Sequence, residues 1–261
     1  MAKLISFIWI CWKLNLAGAL EFRLSFFLTA GMMITNNLVW IFFWSVYFQR
    51  FPIVNGWELQ DIMMMWAVSA GGFGLMAVFF GNSTRLAGMI ANGQLDVYLS
   101  QPKPILLHIL ISRMSVSAIG DVLFALLIFA WFGQWTLVGI AKFALALVMA
   151  TLIFLFFTVT VNCLAFFIGN AEGLSFQLFN GILTFSTYPT DIFRGVGRII
   201  LFTVVPAGFI SYLPIGLLRQ VQLPFLLAGL GVTLSLCIGG TLLFYWGLRR
   251  YTSGNMISMR N

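Results

Sequence analysis

The sequence predicts an all-α, polytopic membrane protein. Its expected layout is six transmembrane helices, an N-terminal interfacial helix and an external re-entrant hairpin between the fifth and sixth spans. Three observations carry this. Of 261 residues, 61% are hydrophobic and only 8% are charged, where soluble domains carry about 25% charged residues. Apolar runs recur near the roughly 20-residue length that a helix needs to cross hydrocarbon. Basic residues cluster at the ends of those runs, so the net charge of +7 reads as membrane orientation and not as a nucleic-acid surface. Together they exclude a cytosolic globular domain, a disordered chain and an ordinary soluble enzyme.

The elements follow in order along one domain, 1–261. Residues 3–22 place Lys3, Ser6, Lys13, Ala17 and Glu21 near one helical face, with Phe7, Trp9, Trp12 and Leu16 over the rest. That suits a helix lying in the headgroup region, lysines toward water and anionic lipid; the competing reading is one more span. Plain spans follow at 24–48, 59–81, 114–133, 143–168 and 224–248. Residues 173–188 are apolar but carry Gln177 and Asn180, and 199–218 are interrupted by Pro206 and Pro214. Proline removes a helix hydrogen bond and clashes with the preceding turn, so residues 189–220 read as a broken hairpin or, alternatively, as a kinked helix.

Charge bias chooses the crossing number. With six spans the cytoplasmic set is Lys3, Lys13, Arg23, Arg85, Lys103, Arg113, Arg249, Arg250 and Arg260, against Arg50, Lys142, Arg194, Arg198 and Arg219 outside. That is nine to five, with both termini cytoplasmic. A seventh crossing moves Arg219 inward and Arg249, Arg250 and Arg260 outward, giving seven to seven. The positive-inside rule favours six.

Residues 83–104 form the one sizeable cytoplasmic segment. A possible cap at Ser83 or Thr84 starts a short helix, Gly93 ends it, and Pro102 and Pro104 stiffen the exit. Leu95, Val97, Tyr98 and Leu99 make an apolar patch rimmed by Arg85, Asp96 and Lys103. Such a patch docks another protein or packs on its own bundle.

Several chemistries are missing. Cys11, Cys163 and Cys237 are scattered through apolar stretches, His108 stands alone, and no cluster has metal-ligand spacing. There is no GxxxxGK[ST], GxGxxG or GxSxG; the GGFG at 71–74 suits close helix packing. No catalytic residue is expected. The intramembrane polar residues are Asn36, Asn37, Asp121, Asn162, Gln177 and Asn180. Asp121 either contacts a substrate or proton, or pairs structurally with Arg113 or a neighbouring hydroxyl.

Two stretches resemble a known family. IANGQLDVYLSQP at 90–102 is similar to its pattern after the second span, and YPTDIFRGVGRIILFTVVPAGFISYLP at 188–214 is similar to its region before the last span. The layout resembles the permease of type-2 ABC exporters over nearly the whole chain. The resemblance implies a dimer of permeases, identical or related, driven by separate ABC ATPase subunits that hold the ATP and Mg, in a bacterial inner membrane. It implies a coupling element of Thr84, Arg85, Met89, Ile90, Gly93, Leu95, Asp96, Leu99 and Pro102. It further implies an external gate of Tyr188, Pro189, Asp191, Pro206 and Pro214, with Asn180 and Phe185 as candidates to line the pathway beside Asp121. The rivals from the residues alone are an ion-coupled secondary transporter, an intramembrane lipid-acting enzyme and a passive scaffold. One buried carboxylate and one histidine give the first two little to work with.

Overall fold

A computed structural model describes residues 2–252; Arg260 lies outside them. Thirteen α-helices are described: α1 (Ala2–Glu21), α2 (Arg23–Arg50), α3 (Leu59–Phe79), α4 (Leu86–Ala91), α5 (Asp96–Leu99), α6 (Ile105–Ile111), α7 (Ala118–Phe132), α8 (Leu137–Asn162), α9 (Ala165–Ile168), α10 (Glu172–Phe185), α11 (Val196–Thr203), α12 (Ala207–Ser211) and α13 (Leu223–Leu248). No strand is assigned among the described residues.

The centre of the bundle is α3, whose first two-thirds are almost wholly buried. It packs most extensively on α7 and α8, and glycine makes that approach possible. A Cβ on Gly72 would lie 2.5 Å from the Ala150 Cβ, and one on Gly71 2.7 Å from the Ala125 Cβ. The GGFG run is therefore a packing device. By contrast, α2 buries a single stripe, Ala30, Asn37, Trp44 and Phe48, and leaves the rest of its apolar surface exposed.

Six helices run between two opposite faces of the bundle. At one, the loop face, the end of α3 meets the start of α7 through Gly81 N–H to Arg113 O at 3.0 Å. There the end of α8 meets α4, the start of α10 lies beside Gly88, and Tyr251 after α13 reaches Asp96. At the other, the hairpin face, Gln60 at the start of α3 donates to Phe132 O at the end of α7 at 2.8 Å. Lys142 near the start of α8 reaches Leu218 O, and the Phe225 ring of α13 meets Tyr212. The run α2, α3, α7, α8, α10, α13 alternates between these faces.

Residues 189–220 begin and end on the hairpin face. Near their start Asp191 accepts from Trp57 Nε1 at 2.7 Å. At their end Arg219 donates to Gly56 O, Glu58 and Asp61 at 3.1, 2.7 and 3.0 Å. Both anchors lie in the short stretch 56–61. Between them the backbone is broken into a 3₁₀ turn (Thr190–Ile192), α11, α12 and a π-helical turn (Pro214–Arg219). Pro206 ends the path of α11, and α12 is buried against α3, α8 and α10.

Helix lengths differ from the sequence expectation. Five described helices are long and apolar enough to cross a membrane, Lys3–Glu21, Arg23–Arg50, Leu59–Phe79, Leu137–Ile168 and Leu223–Leu248, and Ala118–Phe132 is a shorter apolar one. The third span, expected from residue 114, becomes helical only at Ala118, because Ser115 N–H is taken by Ala77 O at 2.9 Å. Its 15 residues and the 14 of α10 reach only about 21–23 Å at 1.5 Å per residue.

Gly72→Val drives a side chain into the Ala150 backbone and should destabilise the bundle by about 1–3 kcal/mol. Gly231→Ala, where a Cβ meets nothing within 4 Å, should change stability by no more than about 1 kcal/mol, in the stabilising direction. Thermal unfolding of both in the same detergent checks this.

Candidate functional site

On the loop face, α4 is not a free arm. Leu86, Ala87, Gly88, Met89 and Ile90 are all buried. Its start is held by Asn162 of α8, whose Oδ1 accepts Ala87 N–H at 2.9 Å while its Nδ2 donates to Thr158 O at 2.8 Å. A side chain remote in sequence thus supplies the acceptor that the first turn of a helix lacks. The helix ends at Gly93, φ +70°. Gln94 N–H returns to Met89 O at 2.9 Å and Gly93 N–H to Ile90 O at 3.3 Å, the paired closure that a left-handed glycine permits.

The sequence places Leu95 with Val97, Tyr98 and Leu99 in one exposed patch, and the structure divides it. Leu95 is fully buried, so it anchors the loop from inside, as do Met89 and Ile90. Val97 and Leu99 remain 63% and 42% exposed, rimmed by exposed Thr84, Arg85, Asp96 and Pro102. The split follows from position: Leu95 is the residue just before α5 and turns into the bundle, while α5 itself has no buried residue.

This rim sits on a braced platform. The His108 ring meets Phe7 of α1 and Tyr98 of the loop edge-on, each at 5.0 Å, and Lys103 lies over Phe7 at 4.7 Å. Burial, then the Lys103 charge, hold the His108 pKa below its ordinary value. Trp12 Nε1 donates to Phe79 O and Asn15 Nδ2 to Ile111 O, both at 3.0 Å. From Phe7 to Asn15, α1 therefore lies along the loop face. Burial and the neighbouring Asp96 push the Tyr251 hydroxyl up to about 12.

On the hairpin face, the sequence-selected Tyr188, Pro189 and Asp191 come together, while Pro206 and Pro214 sit apart from them in the buried return of the hairpin. Tyr188, Pro189 and Asp191 wall a cavity of about 410 Å³ with Trp40, Trp44, Tyr47 and Trp57. The sequence held a signal for this wall: Trp40, Phe43, Trp44, Tyr47 and Phe48 share one helical face by their i, i+3, i+4, i+7, i+8 spacing. Tyr188, Pro189 and Asp191 across the cavity, over 100 residues from α2, left none.

Within the bundle, Asp121 is buried between α7 and α2, and its Oδ1 accepts from Asn37 Nδ2 at 2.7 Å. Its partner is thus an amide of α2, not Arg113 or a hydroxyl; among the described residues Oδ2 has no partner. Asn180 is half-buried on α10, and Phe185 is 38% exposed and edge-on to Phe193 at 5.6 Å. Asp121 stands on α7 against α2, while Asn180 and Phe185 stand on α10.

The family described as ABC-2 family transporter protein matches residues 34–255, most of the chain and both motif regions. The chain belongs to the ABC-2 transporter family. No curated protein and no solved structure matches it. An ABC-2 permease is the membrane-spanning transport subunit of an ABC transporter, not itself a catalyst, and the family implies an ABC ATPase partner in general. The all-helical bundle agrees with such a permease.

Asn37→Leu leaves the Asp121 carboxyl buried without its donor and should destabilise this permease by about 1–3 kcal/mol. The Asn37→Leu, Asp121→Leu double variant removes both polar groups and should recover most of that loss. A double-mutant cycle on thermal unfolding reads the difference.

Proposed function

We propose that the chain is the membrane permease of an ATP-driven exporter built from two permeases and two separate ATPase subunits. The observation that carries this is the loop platform. Its inner residues are locked into the bundle by Asn162 and Gly93, while Thr84, Arg85, Val97 and Leu99 present an unfinished rim. Such a rim can take a push from a partner and pass it to α8, α10 and α1 as a rigid body. ATP and Mg belong to the partner, and this chain supplies the coupling surface, with Met89, Ile90, Leu95 and Gly93 setting its shape from inside.

The six face-to-face helices are read as six membrane crossings, with residues 189–220 a re-entrant hairpin on the outer side and α1 in the inner interface. Two facts support that orientation. The two ends of the hairpin share the stretch 56–61. The loop-face set holds more lysines and arginines than the hairpin face, as a cytoplasmic side does. The termini and the platform then face the cytoplasm of a bacterial inner membrane.

A second permease, identical or related, covers α10. Its open face carries Gln177, Asn180 and Thr184, polar groups that hydrocarbon does not tolerate uncovered. Between two such faces runs the pathway, lined by Asn180 and Phe185, and Tyr188, Pro189, Asp191, Pro206 and Pro214 shape its outer gate. ATP-driven closure of the ATPase pair then switches the bundle between states open to opposite sides, moving substrate outward.

The test is copurification from its native host with this chain tagged, followed by ATPase assay and mass identification. The reading predicts an ABC ATPase that is lost in a Val97→Asp, Leu99→Asp double variant with unchanged melting. A folded, monodisperse chain bringing down no ATPase contradicts it. Leu95→Asp is expected to unfold the loop instead, because that side chain is fully buried.

A further inference from the structure

The aromatic cavity on the hairpin face has the chemistry of a cation cage. Trp40, Phe43, Trp44 and Tyr47 of α2 form one wall, Trp57 and Tyr188 the other, around about 410 Å³. Trp40, Phe43 and Tyr47 are 37%, 50% and 36% exposed, so their rings are open to a ligand. The cavity includes one carboxylate, Asp191, and no lysine or arginine. Asp191 Oδ2 is aimed by the Trp57 indole N–H at 2.7 Å. Among the described residues its other oxygen has only Arg198 at 3.8 Å, a side chain 54% exposed, and an ion pair that loose and wet neutralises little.

We propose that this cavity binds an alkylated ammonium cation, held by the faces of the α2 aromatics and by the Asp191 carboxylate. Ring quadrupoles attract a cation that has lost most of its water, and alkylated ammonium ions are the cations that surrender water most readily to such cages. A neutral apolar guest gains the same burial but not the ring and carboxylate attraction. An anion is repelled by both. The cavity sits against the broken hairpin, so an occupant bridges α2 to Tyr188–Asp191 and tightens that contact. The assignment concerns binding alone and does not rest on the exporter reading. Its failure leaves the copurification test untouched.

The probe is radiolabelled benzyltrimethylammonium, titrated by equilibrium dialysis against the full chain in a maltoside detergent. Neopentylbenzene, its uncharged carbon isostere, is the competitor. Saturable one-to-one binding is expected, with the isostere competing at least tenfold more weakly. Asp191→Asn keeps an acceptor for the Trp57 N–H while removing the charge, and should weaken binding at least tenfold with unchanged melting. Phe43→Leu, at a half-exposed ring, should weaken it several-fold. Repeating the titration in phosphatidylcholine and phosphatidylglycerol nanodiscs separates two sources of the same chemistry. Weakening confined to phosphatidylcholine makes a lipid headgroup the occupant, and equal affinity makes it a free cation; both support the cage. No saturable binding, equal competition by the isostere, or unchanged affinity in Asp191→Asn and Phe43→Leu overturns it.

Discussion

Backbone amides in hydrocarbon have no water to turn to, and every irregular segment of this bundle has to answer that constraint. Three segments do so with long-range polar contacts. Asn162 completes the start of α4 from the end of α8. Arg219 ties the π-helical turn to Gly56, Glu58 and Asp61. Asn82 reaches Ile109 O and Ser112 Oγ, at 3.1 and 2.6 Å, and holds the start of the loop to the end of α6. These ties hold the loop platform and the hairpin to the core. With them, both are fixed surfaces at opposite ends of a common core.

That core joins the two surfaces. The central helix α3 has Phe79 and Phe80 under Trp12 at one end and Glu58 and Asp61 under Arg219 at the other. Its neighbours α7 and α8 lie at glycine distance and leave no slack at Gly71 and Gly72. A displacement of the platform therefore moves packed helices as bodies, since close-packed interiors switch between discrete arrangements more readily than they stretch. The α2 helix, buried along one stripe only, is the looser partner, and it carries most of the aromatic cavity.

Much of this was legible in the sequence because it follows from composition and period. The all-helical membrane class, the stop at Gly93, the packing use of the 71–74 glycines and the break before Pro206 all come from local rules. Pairings across the chain were not legible. Nothing in the text of the sequence joins Asn37 to Asp121, Trp57 to Asp191 or Asn162 to Ala87, because single polar residues in apolar runs do not name their partners. The split of the apolar patch at Leu95 was hidden for another reason. Leu95 turns inward just before a four-residue helix with no buried residue of its own, and a helix that short carries no periodic signal. Helix length misled as well, since α7 and α10 are shorter than their apolar runs.

The two-faced arrangement, with the platform on one side of the membrane and both ends of the hairpin on the other, is what the account stands on. It is tested most directly by single cysteines in a variant lacking Cys11, Cys163 and Cys237, labelled in intact cells with a membrane-impermeant maleimide. Asn55→Cys and Gln220→Cys should label from outside, and Gln101→Cys only after permeabilisation. Labelling of Asn55→Cys and Gln220→Cys from opposite sides, or of Gln101→Cys from outside, would contradict the account.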